Sequence, residues 1–201
     1  MGFLNLPLKQ PSIPKMHLVA LTCLGFSPAC DQFGPMPDTF IPSATVSAEF
    51  FDHLVTSHAL GHRGFHGRDR WLRVLFNGRL LAVETGANLR VVELFALIHD
   101  SCRENANDDP LHRWRAARYA CLLRGTWFEA SDAEMNLLMH ACELHSDGHT
   151  EADITAQTCW DADRLDLGWV GIRPSARYLC SDAAKRADVI EAASGRSRAT
   201  I

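Results

Sequence analysis

The sequence predicts an all-α fold, a single helical bundle of six or seven helices, and three observations carry that prediction. No stretch of the 201-residue chain sustains the apolar–polar alternation of a half-buried strand. Apolar segments after residue 43 are opened by Ser, Asp or Asn and closed by Gly, the punctuation of helices. Positions 70, 74, 77 and 81, which include Val74 and Leu81, fall on one helical face. No internal repeat is present.

Each element follows in order. Residues 1–43 hold seven of the nine prolines together with Gly25 and Gly34, so an irregular extension is expected there. Ser43 or Ser47 is placed to cap a helix through Glu49–Val55. After Gly61 and Gly64 a second helix should run from about Gly67 to Glu84, with Gly86 as its stop. Asn88 caps a third segment reaching Cys102, and Asp108-Asp109-Pro110 starts a fourth that ends at Leu123. Ser131-Asp132-Ala133-Glu134 reads as a capping box for a helix to His145, closed by Gly148. Thr150 or Asp153 begins the next, which stops at Gly168; Pro174 starts a short turn. Ser181 opens the last helix, the helical domain spans 44–193, and 194–201 is a polar tail.

Hydrophobic residues make up 47% and charged residues 22% of the chain, with a net charge of −4, the profile of a soluble globular domain. Without a basic excess, nucleic-acid binding is excluded as the main function. Seventeen of the twenty basic residues are Arg, suited to bidentate phosphate contact. The seven cysteines form no CxxC pair, and Cys102, Cys121, Cys142 and Cys180 fall in or beside apolar segments as small hydrophobes, which suggests a cytoplasmic setting. Lys15 and the apolar run His17–Phe26, ending near Ser27-Pro28-Ala29, form a weak signal-peptide outline, so secretion is the lesser alternative. That run is too short to span a membrane, and no membrane association is expected.

The chemistry concentrates in a His-Asp pair, His99-Asp100, that closes the apolar segment Val91–Ile98, and in Asp161-Ala162-Asp163-Arg164-Leu165-Asp166 about sixty residues later. Imidazole nitrogen with carboxylate oxygen makes a divalent-metal site, and a second carboxylate from a distant helix would close it. His112 and His145 lie between these anchors and extend the site toward two ions. His140 falls on a different face from His145, and His17, His53, His58, His62 and His149 carry no signal. Arg103 and Asn105 follow the pair closely enough to meet a substrate phosphate. The five tryptophans read mostly as core, and no signal selects one to stack on a base.

This ordered set resembles the HD-domain superfamily of metal-dependent phosphohydrolases, over roughly residues 60–185. It is most similar to a small bacterial subgroup carrying the run Cys159-Trp160-Asp161-Ala162-Asp163-Arg164-Leu165-Asp166-Leu167-Gly168. The resemblance makes His99 and Asp100 the signature pair and Asp163 the last ligand. His112, leading into Arg115-Ala116-Ala117, and His145, in His145-Ser146-Asp147-Gly148, match the third and fourth motifs. It also exposes a departure. The subgroup's first segment reads His-Gly-x-x-His-Trp-x-Arg-Val, with its second His a ligand; this chain has His66-Gly67-Arg68-Asp69-Arg70-Trp71-Leu72-Arg73-Val74. Arg70 therefore stands at the ligand position, permanently charged and without a lone pair. His66, one turn earlier, is a possible substitute.

Two readings result. In the first, a divalent ion (Mn, Fe, Co, Ni, Zn or Mg) held by His99, Asp100, Asp163 and, as a substitute ligand, His66, with His112 and His145 extending the site to a second ion, activates water against a phosphomonoester or phosphodiester, a small phosphorylated substrate such as a nucleotide. Asp100 assists deprotonation there, and Arg103 and Arg164 neutralise the phosphate. In the second, Arg70 pairs with Asp100 or Asp163 in place of metal, leaving a degenerate domain that binds a phosphorylated ligand or only supports the fold.

Overall fold

The computed structural model describes residues 39–61 and 66–198; the signal-like run and most of the proline-rich extension lie outside these residues. Among the described residues there are eight α-helices, two short 3-10 helices and no strand beyond one isolated bridge between Arg124 and Phe128. The helices are α1 (Ala48–Ser57), α2 (Arg68–Thr85), α3 (Leu89–Ile98), α4 (His112–Leu123), α5 (Asp132–Leu144), α6 (Ile154–Arg164), α7 (Asp182–Lys185) and α8 (Ala187–Arg198). No described helix is long and apolar enough to cross a membrane.

Local chemistry explains most of the boundaries. Ser47, Asn88, Ser131, Asp153 and Ser181 each accept a backbone N–H of the first turn they open. Glu134 returns a bond to Ser131 and completes the capping box. Ser43 does not cap α1; its hydroxyl donates to buried Glu93 at 2.7 Å. Gly86 ends α2 in the left-handed region, φ 72°, where a Cβ would be strained.

Several ends differ from expectation. The third helix stops at Ile98, because Ser101 donates both its N–H and its hydroxyl to the Ile98 carbonyl and the chain tightens into turns. The fourth begins at His112: the Asp109 carboxylate accepts from Glu104 N, Asn105 N and Arg115, so it serves the preceding loop instead of a cap. The last segment breaks at Arg186, extended at ψ 138°, giving two helices where one was expected and eight in all. The expected polar tail is helical through Arg198, with Ser194 and Ser197 buried. Their small side chains pack on the 3-10 helix Leu167–Val170, where a Cβ on Gly168 would stand 2.1 Å from Ser197 Oγ.

The third helix is the axis of the bundle. Residues Val91–Ile98 are all buried, and α1, α2, α4, α5 and α6 pack around them. Burying Phe95, Leu94, Leu97 and Ile98 contributes roughly 1.5–3 kcal/mol per side chain. Close approach of α2 depends on Gly78, whose added Cβ would meet Val92 Cγ1 at 2.6 Å. That approach carries Arg70 to Asp100, just past the C-terminal end of α3, and Arg73 to Asp166, just past α6. Trp160, on α6, is buried and donates to the Ala141 carbonyl of α5 at 3.0 Å. Cys142, Cys159 and Cys180 are buried, whereas Cys121, expected among the apolar segments, is exposed.

Candidate metal centre

Helix ends build the site. His99 is the C-terminal cap of α3, His145 that of α5, and Asp163 lies in the last turn of α6. Three helix C-termini therefore direct their partial negative charge toward one region, which favours cations there. His112 enters from the first turn of α4 and Arg70 from the first turn of α2. His66 precedes α2 and is not on its face, yet its ring reaches the same cluster.

Three histidines share one arrangement. Each points Nδ1 at a backbone carbonyl: His99 at Phe95 (3.1 Å), His145 at Cys142 (2.7 Å) and His112 at Asp109. A ring that donates Nδ1–H to a carbonyl presents Nε2 as its free electron pair when neutral, the orientation of a metal-ligating imidazole. His112 Nε2 and His145 Nε2 face one another at 3.1 Å. Asp100 Oδ1 stands 3.4 Å from the first and 4.0 Å from the second. Ligand atoms held about 2.1 Å from a tetrahedral ion are roughly 3.4 Å apart, so this donor set fits a divalent cation. Burial pushes His112 down and His145 down to about 4, which favours neutral rings, and with Nδ1–H on the carbonyls the Nε2 lone pairs face one another. Arg103 closes the open side, donating Nε to Asp100 Oδ1 at 2.8 Å with Nη2 3.4 Å from His112 Nε2.

The other oxygen of Asp100 faces a different cation. Arg70 donates Nε to Asp100 Oδ2 at 3.1 Å and Nη2 to Asp163 Oδ1, with Nη1 3.4 Å from Asp166 Oδ2. Its guanidinium sits 5.4 Å over the ring of Trp169. Arg73 takes Asp166 through two bonds, 2.7 and 3.2 Å. Burial opposes the charge on Arg70, but the three carboxylates outweigh it and hold its proton more firmly than usual. Burial likewise works against ionised Asp100 and Asp163. His99 and Arg70 respectively lead the groups that hold both below the usual carboxylate range. Burial raises Asp166 against the pull of the two arginines. His99 Nε2 lies between the carboxylates, 3.4 Å from Asp163 and 3.6 Å from Asp100, with no hydrogen bond among the described residues. Burial disfavours a charge on this ring, and the carboxylates outweigh it.

The site residues read from the sequence therefore converge: His66, His99, Asp100, His112, His145, Asp163 and Arg103 form one connected cluster. His66 differs in kind. Both its nitrogens face oxygens, Asp100 Oδ2 at 3.0 Å and the Ala106 carbonyl at 3.1 Å, so it orients the carboxylate. Arg164 is set aside on the wall, with Nη1 donating to Tyr178 O at 2.8 Å and Nη2 buried without a hydrogen-bond partner among the described residues. Asp161 accepts from Cys180 N, Ser181 N and the Ser181 hydroxyl, and so anchors the C-terminal segment. His140 is exposed, and His53 and His58 lie elsewhere, bonded to Tyr119 and the Ser101 carbonyl. The sequence reading missed the Arg73–Asp166 pair and Trp169. The pair had a signal, since Arg70/Arg73 and Asp163/Asp166 are matched charges at the same three-residue spacing.

The cluster opens into a cavity of about 950 Å³ that Asp100, Arg103, His145, Asp163, Arg164 and Trp169 help to line. Its outer wall is apolar, with Val170, Ile172 and Tyr178 exposed at the rim. The buried Asp100, His112 and His145 group can hold a metal ion. Compared with protein-family models, curated proteins and solved structures, the chain matches none, so the chemistry of the site is read from its own residues.

Proposed function

We propose that the chain is a phosphohydrolase of the HD type that works with one divalent ion, at Asp100, His112 and His145, and one fixed cation, Arg70. The observation that carries this reading is the pair of Nε2 atoms 3.1 Å apart, each with Nδ1 committed to a carbonyl. Two neutral lone pairs at that distance repel unless a positive charge lies between them. When bound, the ion supplies Lewis acidity, which polarises a phosphoryl oxygen and acidifies water.

The chain's own groups do the rest. Arg103, bonded to Asp100 and in reach of His112, is placed to release those contacts to an incoming phosphate oxygen. Asp100 is held by Arg70 and His66 through Oδ2, so that Oδ1, once Arg103 turns to the phosphate, would serve the cation and a proton leaving water. Arg70 neutralises the Asp100–Asp163 side of the site, where a second ion would otherwise be required.

A second reading is favoured by one observation: Arg70 already bridges the carboxylates, so the pocket is complete enough to bind a phosphorylated ligand without hydrolysis. Elemental analysis of the purified protein and hydrolysis of p-nitrophenyl phosphate separate the two. The proposal expects about one equivalent of divalent metal and metal-dependent turnover, both lost in His145→Ala. Metal-free protein that stays inactive after loading would leave only the second reading.

A further inference from the structure

The charges around the cavity impose a condition on what it can hold. Asp100, Asp161, Asp163 and Asp166 are each buried. Arg70, Arg73 and Arg164 are buried as well, and the Arg103 side chain is 13% exposed. These four carboxylates and four guanidiniums cancel, and Arg196, close enough to feel Asp166, adds a further cation. The Arg115–Asp109 pair beside Arg103 cancels in turn, as does the Arg173–Glu191 pair at the rim. A divalent ion seated between His112, His145 and Asp100 therefore enters a buried cluster with no net negative charge to receive it. An uncompensated charge in such surroundings is strongly disfavoured.

Two guanidiniums can supply donors to an anion. Arg164 lines the cavity and is more than nine-tenths buried, and its Nη2 has no hydrogen-bond partner among the described residues. Arg103 stands at the mouth of the metal position with its Nη2 at 3.4 Å from His112, a weak contact that a phosphate oxygen outcompetes. We propose, on the basis of the metal reading above, that the cavity takes up its divalent ion and a phosphomonoester dianion together, each raising the affinity for the other. A phosphodiester, with a single negative charge, offsets only half of the ion's charge and is the poorer partner. The ligand class is therefore a terminal phosphate, and the apolar wall at Trp169, Val170, Ile172 and Tyr178 receives the remainder of the molecule.

The test is a Mn²⁺ titration of the metal-free full chain, followed by the paramagnetic resonance of free Mn²⁺, at neutral to slightly alkaline pH. It is run alone, with inorganic phosphate, with sulfate and with dimethyl phosphate. Phosphate should tighten Mn²⁺ binding by about tenfold or more, within the usual range of coupling between sites. Sulfate, an equal charge, should approach that effect, and dimethyl phosphate should fall well short. Titrating phosphate into metal-free and Mn²⁺-loaded protein must return the same factor, which separates coupling at the protein from complexation in bulk. Arg70→Gln leaves the cluster one charge more negative, so Mn²⁺ should bind without phosphate and the factor should shrink. Arg103→Gln, at the partly exposed mouth, gives the same direction if the first variant fails to fold. Mn²⁺ binding that is equally tight with and without phosphate overturns the coupling and leaves the metal reading standing. Equal enhancement by dimethyl phosphate overturns the preference for a dianion. No Mn²⁺ binding under any condition removes the metal reading and this inference with it.

Discussion

Replacing Arg70 by Gln removes the one group that touches three buried carboxylates. Asp100 loses a 3.1 Å bond from Nε, Asp163 its bond from Nη2, and Asp166 a contact at 3.4 Å, though Asp166 keeps Arg73. His66 and Arg103 still serve Asp100, so the largest loss falls on Asp163, whose remaining neighbour is His99 at 3.4 Å. Leaving one member of a buried ion pair uncompensated costs about 3–5 kcal/mol. A domain of this size loses roughly 2–4 °C per kcal/mol, so the melting temperature should fall by about 6–20 °C. The cause can be separated from lost packing by adding Asp163→Asn. If charge is responsible, the double variant should recover part of the loss, because adjacent residues are non-additive by about 0.5–3 kcal/mol. Divalent metal should likewise stabilise the variant more than the parent, since a ligand at a hundred times its dissociation constant contributes about 2.7 kcal/mol. Thermal denaturation followed by circular dichroism measures all three. A fall under 2 °C, or a double variant less stable than the sum of the singles, would refute the electrostatic argument.

Other expectations rest on local geometry. Ser131→Ala opens the capping box of α5 and should cost about 1 kcal/mol in denaturant unfolding: the hydroxyl's bonds with Glu134 are lost, while the backbone N–H of residue 131 still donates to the Glu134 carboxylate and keeps it below the usual range. Gly78→Ala should destabilise by about 1–3 kcal/mol despite the better helix propensity of alanine, since its Cβ lies 2.6 Å from Val92 Cγ1; a gain in melting temperature would contradict the packing. Asp161→Asn weakens the acceptor for Cys180 N, Ser181 N and the Ser181 hydroxyl. It should cost about 1–3 kcal/mol and expose the segment after residue 179 to limited proteolysis.

How much was legible in the sequence depended on whether the information was local. Helix starts at Ser47, Asn88, Ser131 and Ser181 are written in one side chain and the N–H three residues on, and they were readable. The stop at Ile98 was not, because it depends on a hydroxyl at Ser101 turning back onto a carbonyl, an act a serine performs in only some settings. Asp109 shows the opposite error: it has the chemistry of a cap, and a competing loop with Arg115 takes it. In the site, residue types announced the His/Asp cluster, and the inward direction of Arg70 followed from helical phase. Which oxygen of Asp100 serves which cation, and that His66 turns both nitrogens to oxygens, are set by tertiary distances of a few tenths of an ångström. Trp169 entered the site through the 3-10 turn after Asp166, an element that the expected continuation of α6 to Gly168 concealed.

The most demanding expectation concerns Arg70→His. The guanidinium occupies a position whose neighbours are already spaced as ligands: His99 Nε2 lies 3.4 Å from Asp163 Oδ1 and 3.6 Å from Asp100 Oδ2, close to the roughly 3.4 Å separation of atoms around one ion. Arg70 spans the two carboxylates, Nε to one and Nη2 to the other, and so holds them apart. An imidazole is shorter, carries no fixed charge and offers a lone pair, so the carboxylates are left with one charge more than the parent to attract a cation. Asp100 would then contribute Oδ2 to this ion and Oδ1 to the ion at His112 and His145. The expected outcome is a rise of one equivalent in metal bound per chain, measured by elemental analysis after equilibrium dialysis, with His99→Ala in the same background returning the count to the parent value. An unchanged count would mean that residue 70 does not stand at a metal position. A count that rises from none to one would show that the parent holds no ion at His112 and His145, and that Arg70 alone completes its charge.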